Sequence, residues 1–157
     1  ILTENDQLTI EFAGVWRHYH VAMLDTVVIG SPRPRHAELF EAAEQGIAAI
    51  VAAMHSGNTF GDVFDAHAQV LNERGMQGFK LNACGYSLGA TFAPTWMDTP
   101  MFNNANPTEI VPNMVLFAHM MLTDLETETA MTLGRSYLTT EGEPERLSEL
   151  APAFLTR

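Results

Sequence analysis

Positively charged side chains are scarce in this chain. Lys80 is the single lysine among 157 residues, and the formal net charge is −11. A nucleic-acid partner is disfavoured, because binding to phosphates requires a basic surface. An anionic membrane surface is disfavoured for the same reason. The negative net charge by itself indicates only an acidic surface that favours solubility.

Cysteine and long hydrophobic runs are also nearly missing. Cys84 is the only cysteine, so neither an internal disulfide nor a cysteine-based zinc site is possible. A lone cysteine is typical of a reducing compartment, and we expect a cytoplasmic protein. No apolar stretch approaches the roughly 20 residues that a membrane-spanning helix needs, so we expect no membrane partner.

The chain is otherwise of globular composition, with 46% hydrophobic residues and enough length for one domain with a sizeable core. It begins ILTENDQLTI, without a methionine, and passes from a polar stretch directly into a strand. We therefore expect residues 1–157 to be part of a longer polypeptide.

The N-terminal third reads as a hairpin followed by helices. Alternating apolar and polar residues predict a strand through Ala13, a tight turn near Gly14 and a long aromatic strand after it. From Pro34 the apolar period becomes helical, and one helix ends at Gly57. A second helix follows and ends at Gly75, since glycine is common at helix C-termini.

The remainder reads as strands around one long loop. MQGFKLN predicts a strand, and residues 91–113, with four prolines, predict a functional loop. MVLFAHMMLTD and AMTLGRSYLTT predict a pair of strands, and EGEPERLSEL predicts a turn with a terminal helical turn. The fold class is α+β, with helices on one face of a mostly antiparallel sheet.

Several motifs in this order resemble the C-terminal catalytic domain of the creatinase, prolidase and methionine aminopeptidase superfamily. SGNTFGDVFDAHAQVLNERG resembles its Pro-Gly-x-Thr helix junction, VPNMVLFAHMM its strand with a Glu-Pro pair, and RSYLTTEGEPERLS its closing strand and turn. The resemblance implies the pita-bread fold. It also implies that residues 1–157 form the C-terminal part of such a domain, which is usually dimeric.

Metallopeptidases of that superfamily bind two metal ions through two Asp, one His and two Glu. By the resemblance, these positions fall here on Glu11, Ala22, Tyr86, His119 and, by the least certain step, near Gly134. A di-metal hydrolytic site needs several converging carboxylates. We therefore expect no dinuclear metal and no other cofactor. The sequence is more similar to the metal-independent creatinase and ectoine hydrolase branch.

That branch implies hydrolysis of a C–N bond in a small nitrogen-containing substrate. His119 is then a candidate to polarise a carbonyl or shuttle a proton, unless it is only a satisfied core histidine. Tyr86 could donate a hydrogen bond to an oxyanion, or its ring could only fill the volume that the metal ions occupy in the metallopeptidases. Glu11 could be a base, a cation-binding group or a surface charge on an edge strand.

Four further residues are candidates for substrate binding. His18 and His20 stand two apart on the predicted strand and should face the pocket side with Ala22. They could bind substrate, act as acid and base, form a relocated metal site with His119, or be ordinary hydrogen-bonded histidines. Trp96 and Asp98 on the long loop could offer an aromatic face and a counter-charge to a cation, or anchor the loop and cap a turn.

Two other functions stay open at this point. One is a metal-dependent enzyme of the same fold, either an Xaa-Pro peptidase or a lyase acting on a sulfonium compound. The other is a non-catalytic homologue that binds a ligand or a partner chain. In the creatinase-type enzymes the general base lies on a part of the domain that this chain lacks, so we expect residues 1–157 alone to be inactive.

Overall fold

A computed structural model describes all 157 residues as one sheet with two helices on one face. The elements are β1 Gln7–Trp16, β2 Tyr19–Val28, α1 Pro34–Ala53, α2 Phe60–Glu73, β3 Ala83–Leu88, β4 Met97–Asn103, β5 Val115–Asp124, β6 Thr129–Leu138, β7 Glu145–Arg146 and β8 Leu155–Thr156. The sheet order is β1-β2-β6-β5-β3-β4, with β7 paired to β6 and β8 paired to β2. The predicted α+β class, with a mostly antiparallel sheet, is confirmed.

The N-terminal hairpin turns later than the sequence predicts. Gly14 lies within β1, and the antiparallel ladder continues to the pair Trp16 and Tyr19. Arg17 and His18 form the two-residue turn, with φ angles of 47° and 68°. Turns of this length match the twist of the two strands best when both central residues have positive φ. The prediction of a turn near Gly14 is therefore wrong.

The two helices follow the predicted pattern. At the start of α2, the Thr59 side chain accepts a hydrogen bond from the backbone N–H of Asp62 and the Asp62 carboxylate accepts one from that of Thr59. This capping box satisfies two backbone donors at the helix start. Gly75 follows the end of α2 with φ of 68°, as predicted for a residue that ends a helix. Neither helix combines the length and apolar character needed to cross a lipid bilayer.

Two predictions for the middle of the chain are wrong. MQGFKLN forms turns with an isolated bridge at Lys80, and the strand begins only at Ala83. The predicted loop 91–113 contains β4, which pairs with β3. Pro100 lies inside β4, and this is possible because β4 is at the edge of the sheet, where a missing N–H leaves no partner unpaired.

The C-terminal segment also differs from the prediction. No helical turn forms there; β7 and β8 each add two residues to the sheet instead. The Arg135 guanidinium holds this segment in place by donating to the carbonyls of Leu150 and Ala151 at 2.9 Å. The same group donates to both carboxylate oxygens of Asp25 at 2.9 and 3.1 Å. Arg135 is 1% exposed, so this ion pair is largely removed from water.

Apolar side chains pack on both faces of the sheet. The larger cluster fills the space between the sheet and the two helices. The smaller cluster lies on the opposite face and consists of Ala22, Leu24, Tyr86, Leu88 and Phe117. Because side chains alternate along a strand, β5 contributes Phe117 to the smaller cluster and both Leu116 and Ala118 to the larger one. The candidate site lies on the same face of the sheet as the smaller cluster, and Tyr86 belongs to both.

Candidate functional site

A cavity of about 270 Å³ opens beside the smaller cluster, on the sheet face away from the helices. Strands β1, β3, β4 and β5 each contribute to its wall, together with the loop before β4. Four of the residues singled out in the sequence line it, namely Glu11, Tyr86, Trp96 and His119. The other lining residues are Leu81, Ala83, Thr95, Met97, Met101 and Met121.

Tyr86 lies at the centre of a short chain of hydrogen bonds. Its hydroxyl accepts from Trp96 Nε1 at 3.0 Å and donates to Glu11 Oε1 at 3.5 Å. The first bond fixes the indole, while the second is at the long limit of hydrogen bonding, so the phenol hydrogen is weakly held. Burial raises the pKa of Tyr86 to about 12, so the phenol stays protonated near neutral pH and can donate.

His119 is buried in the cavity wall, with its ring centre 5.6 Å from that of Tyr86 and 5.8 Å from that of Phe117. Burial lowers the pKa of His119 to about 4, so the imidazole is neutral near pH 7. Its Nδ1 is buried and has no hydrogen-bond partner in the protein. Such a group is costly to bury unless something else satisfies it.

Glu11 lines the cavity from the edge strand β1, and the residue as a whole is exposed. Partial burial raises the pKa of its carboxyl, and the hydrogen bond from Tyr86 opposes that rise. None of the five ion pairs of the protein includes Glu11. A carboxylate therefore faces the cavity without a positive partner.

His18 and His20 do not share one face of β2. His18 precedes β2 in the exposed hairpin turn and lines neither cavity described here, although its ring centre lies 6.4 Å from that of Phe92. His20 is buried and its Nδ1 lies 2.7 Å from the carbonyl oxygen of Gly89. His20 lines a second, smaller cavity of about 190 Å³ with Phe92, whose ring centre is 4.6 Å away. Trp96 belongs to the walls of both cavities.

Asp98 does not line either cavity. Its carboxylate accepts hydrogen bonds from the Thr91 hydroxyl at 2.7 Å and from the backbone N–H of Thr99 at 2.8 Å. Both contacts are local, and they lower the pKa of this exposed carboxyl. The structure thus corrects the expectation of a counter-charge at Asp98, since the carboxylate that does face the cavity is Glu11.

Three methionines of the cavity were missed in the sequence. Met97 and Met101 belong to β4, a strand that was predicted as part of a loop because of the prolines in and around it. Met121 belongs to β5, and alternation along that strand turns it to the cavity face with His119. The period of two along β5 was the available signal for Met121.

The residues that the resemblance places at the superfamily's metal positions offer few donor atoms. Ala22 has no donor atom, and Gly134 lacks a side chain. The ring of Phe117 occupies the adjacent space, since a Cβ atom on Gly134 would lie 2.6 Å from Phe117 Cζ. No three His, Cys, Asp or Glu side chains of the protein converge closely enough to hold a metal ion. The residues present do not fit a dinuclear metal centre.

Comparisons with known proteins give a consistent assignment. A family model described as metallopeptidase family M24 matches residues 1–141. An uncharacterized hydrolase/peptidase of Sinorhizobium fredii is 27% identical over 95% of the chain, and the ectoine hydrolase of Halomonas elongata is 26% identical over 93%. The chain spans only 37% and 36% of the length of these two relatives.

The same fold occurs in solved structures. An X-Pro aminopeptidase from Thermotoga maritima superposes with a TM-score of 0.88 at 17% identity. The superposition covers 98% of this chain and 42% of that one. At this identity the likeness shows the fold alone, and it confirms the expected pita-bread architecture for the part of the domain present.

Proposed function

The chain belongs to metallopeptidase family M24, and from that premise we propose that it is part of a creatinase-like hydrolase. The reaction would be hydrolysis of a C–N bond in a small nitrogen-containing substrate, without a dinuclear metal. The observation that carries the proposal is that Tyr86 and His119 line one cavity. By the resemblance described above, both fall at metal positions of the superfamily. The name of the Halomonas elongata relative, an ectoine hydrolase, supports the same branch.

The proposed chemistry uses the groups that the cavity offers. Water attacks the carbon of the C–N bond, a C–O bond forms, and negative charge develops on the adjacent oxygen or nitrogen. Tyr86 donates its weakly held hydrogen to that developing charge. The neutral imidazole of His119 takes over from the general base the proton that the attacking water loses, and passes it to the leaving nitrogen as the C–N bond breaks. The general base that activates the water would come from outside residues 1–157.

We further propose that residues 1–157 form the C-terminal part of the catalytic domain of a cytoplasmic homodimer. Support for association comes from the outer face of the N-terminal hairpin, where Phe12 is 51% exposed and Trp16 is 77% exposed. Sedimentation equilibrium should give twice the chain mass, with a shift toward monomer for Trp16→Glu. A single monomeric species up to the highest concentrations measured would contradict the dimer.

Metal analysis tests the proposed function most directly. The longer polypeptide that we expect to contain this chain should be incubated with manganese, iron or zinc, desalted and measured by inductively coupled plasma mass spectrometry. We expect no stoichiometric retention, because the carboxylates that would hold two ions are missing. Retention of about one or two ions per chain would contradict the proposal and favour a metallopeptidase or a metal-dependent lyase.

A hydrolysis screen of small amides, amidines and cyclic amidines completes that test. Turnover that persists in the presence of a chelator supports the metal-independent hydrolase. Absence of turnover for every compound, together with ligand binding, would favour a non-catalytic homologue instead.

A further inference from the structure

The cavity contains one full negative charge and no positive one. Glu11 is the only carboxylate in its wall, and neither lysine nor arginine lines it. The one imidazole present, that of His119, is neutral near pH 7. Tyr86 gives Glu11 only a 3.5 Å hydrogen bond, which does not neutralise the carboxylate. A ligand that carries positive charge would complete this arrangement.

The rest of the wall suits a weakly hydrated cation rather than a strongly hydrated one. The indole of Trp96 is held in place by its bond to Tyr86, and indole is the most favourable aromatic face for a cation. Met97, Met101 and Met121 add polarizable thioether groups. Most of the wall is apolar, which suits an alkylated cation that needs no acceptor better than an ammonium ion with three N–H donors.

Size and one polar side chain of the wall complete the description of the ligand. A volume of about 270 Å³ admits a compact organic cation with a short polar extension. Thr95 lines the cavity, and its hydroxyl, which accepts from the backbone N–H of Met97 at 3.2 Å, keeps a hydrogen that it can donate to that extension. The cation and the polar group would thus lie at different parts of one ligand.

We propose that the cavity selects substrates that carry a compact, alkylated organic cation, with Glu11 as its counter-charge and Trp96 as its aromatic face. This inference rests on the proposed hydrolase, because it names the substrate class of the same site. The cationic group binds near the mouth beside Glu11, and the C–N bond to be cleaved lies deeper, beside Tyr86 and His119.

Trp96 itself supplies the probe for a binding test. The chain contains two tryptophans, and Trp16 is exposed on the hairpin, so Trp16→Phe leaves Trp96 as the only indole. Choline and 3,3-dimethylbutan-1-ol have nearly the same shape, but only choline is charged. We expect choline to change the Trp96 fluorescence with an affinity at least about tenfold higher than that of the neutral alcohol, since one cation–aromatic contact with its counter-charge accounts for that ratio.

Two further variants locate the origin of that preference. In the Trp16→Phe background, Glu11→Gln should reduce the preference for choline to about twofold or less, because the counter-charge is lost. Glu149→Gln removes the same charge from an exposed position outside the cavity and should leave the preference unchanged. Circular dichroism would establish that each variant is folded.

Equal binding of the two probes, or a preference that survives Glu11→Gln, would overturn the inference. The comparison of the two probes in the Trp16→Phe chain changes nothing inside the cavity, so it decides the question even where Glu11→Gln does not fold. The test measures binding alone. Selective binding of the cation without any turnover would therefore contradict the proposed hydrolase function but support the proposed selectivity. Turnover of neutral substrates without selective binding of the cation would support the hydrolase function and contradict the selectivity.

Discussion

Replacing Arg135 with methionine is expected to lower the free energy of unfolding by about 3–5 kcal/mol, because the change leaves a partly buried carboxylate without its partner. Arg135 is 1% exposed, and its guanidinium donates to both oxygens of Asp25. It also donates to four backbone carbonyls, those of Leu24, Gly134, Leu150 and Ala151. Methionine has similar length and no donors, so these acceptors would all lose a partner at once.

Urea denaturation followed by circular dichroism would measure the loss. Arg74→Met is the matched control, since Arg74 forms a surface ion pair with Glu41 at 3.8 Å and should cost no more than about 1 kcal/mol. Because Arg135 holds the C-terminal segment, limited proteolysis of the variant should begin near residues 150–157. A loss as small as that of the control would contradict the role assigned to Arg135.

Introducing the superfamily's carboxylate at Gly134 is expected to prevent folding rather than to create a metal ligand. A Cβ atom there would lie 2.6 Å from Phe117 Cζ and 3.0 Å from Leu24 Cβ. Overpacking of this kind costs about 1–3 kcal/mol. Gly134→Glu would also place a charged group against an apolar cluster, which costs several kcal/mol more.

Three companion variants separate size from charge. Gly134→Ala should show the packing cost alone, and Phe117→Leu in the same chain should recover part of it if the ring is the obstacle. Gly14→Ala is the control, because a Cβ atom at Gly14 meets nothing within 4 Å and should be neutral or slightly stabilising. A folded Gly134→Glu protein that binds manganese would overturn both the packing argument and the expected absence of a metal centre.

The elements that were predictable from the sequence are those whose periodicity is set by a large buried surface. In β5 and β6 and in both helices, apolar residues recur with the period of the element and face the core between sheet and helices. The positions of these four elements were confirmed within a few residues. Glycine at the end of α2 was predictable for a local reason, because Gly75 adopts positive φ at no steric cost.

The errors arose where long-range pairing overrides local preference. Gly14 has the composition of a turn residue, but the ladder of β1 and β2 runs past it to Trp16 and Tyr19. The turn then falls on Arg17 and His18, and positive φ is uncommon for a residue such as arginine. This displacement of the turn is what removed His18 from the predicted site.

The candidate site was partly predictable for a different reason. Matching to the superfamily's motifs identified Glu11, Tyr86 and His119, which the structure brings to one cavity. No local pattern indicated that Phe117 would take the space beside Gly134 or that Glu11 would lack a positive partner. Both facts depend on side chains from strands that are far apart in the chain, and their roles in function stay predictions.

The separation of the two apolar clusters by the sheet has a consequence for how such a protein can diversify. The larger cluster between sheet and helices maintains the architecture, whereas Met97, Met101 and Met121 face only the cavity side. Exchange of these flexible side chains would reshape the ligand's surroundings while leaving the helix-side packing intact. Single substitutions on the cavity face can therefore change specificity, whereas building a dinuclear metal centre there would require several coordinated changes on that same face.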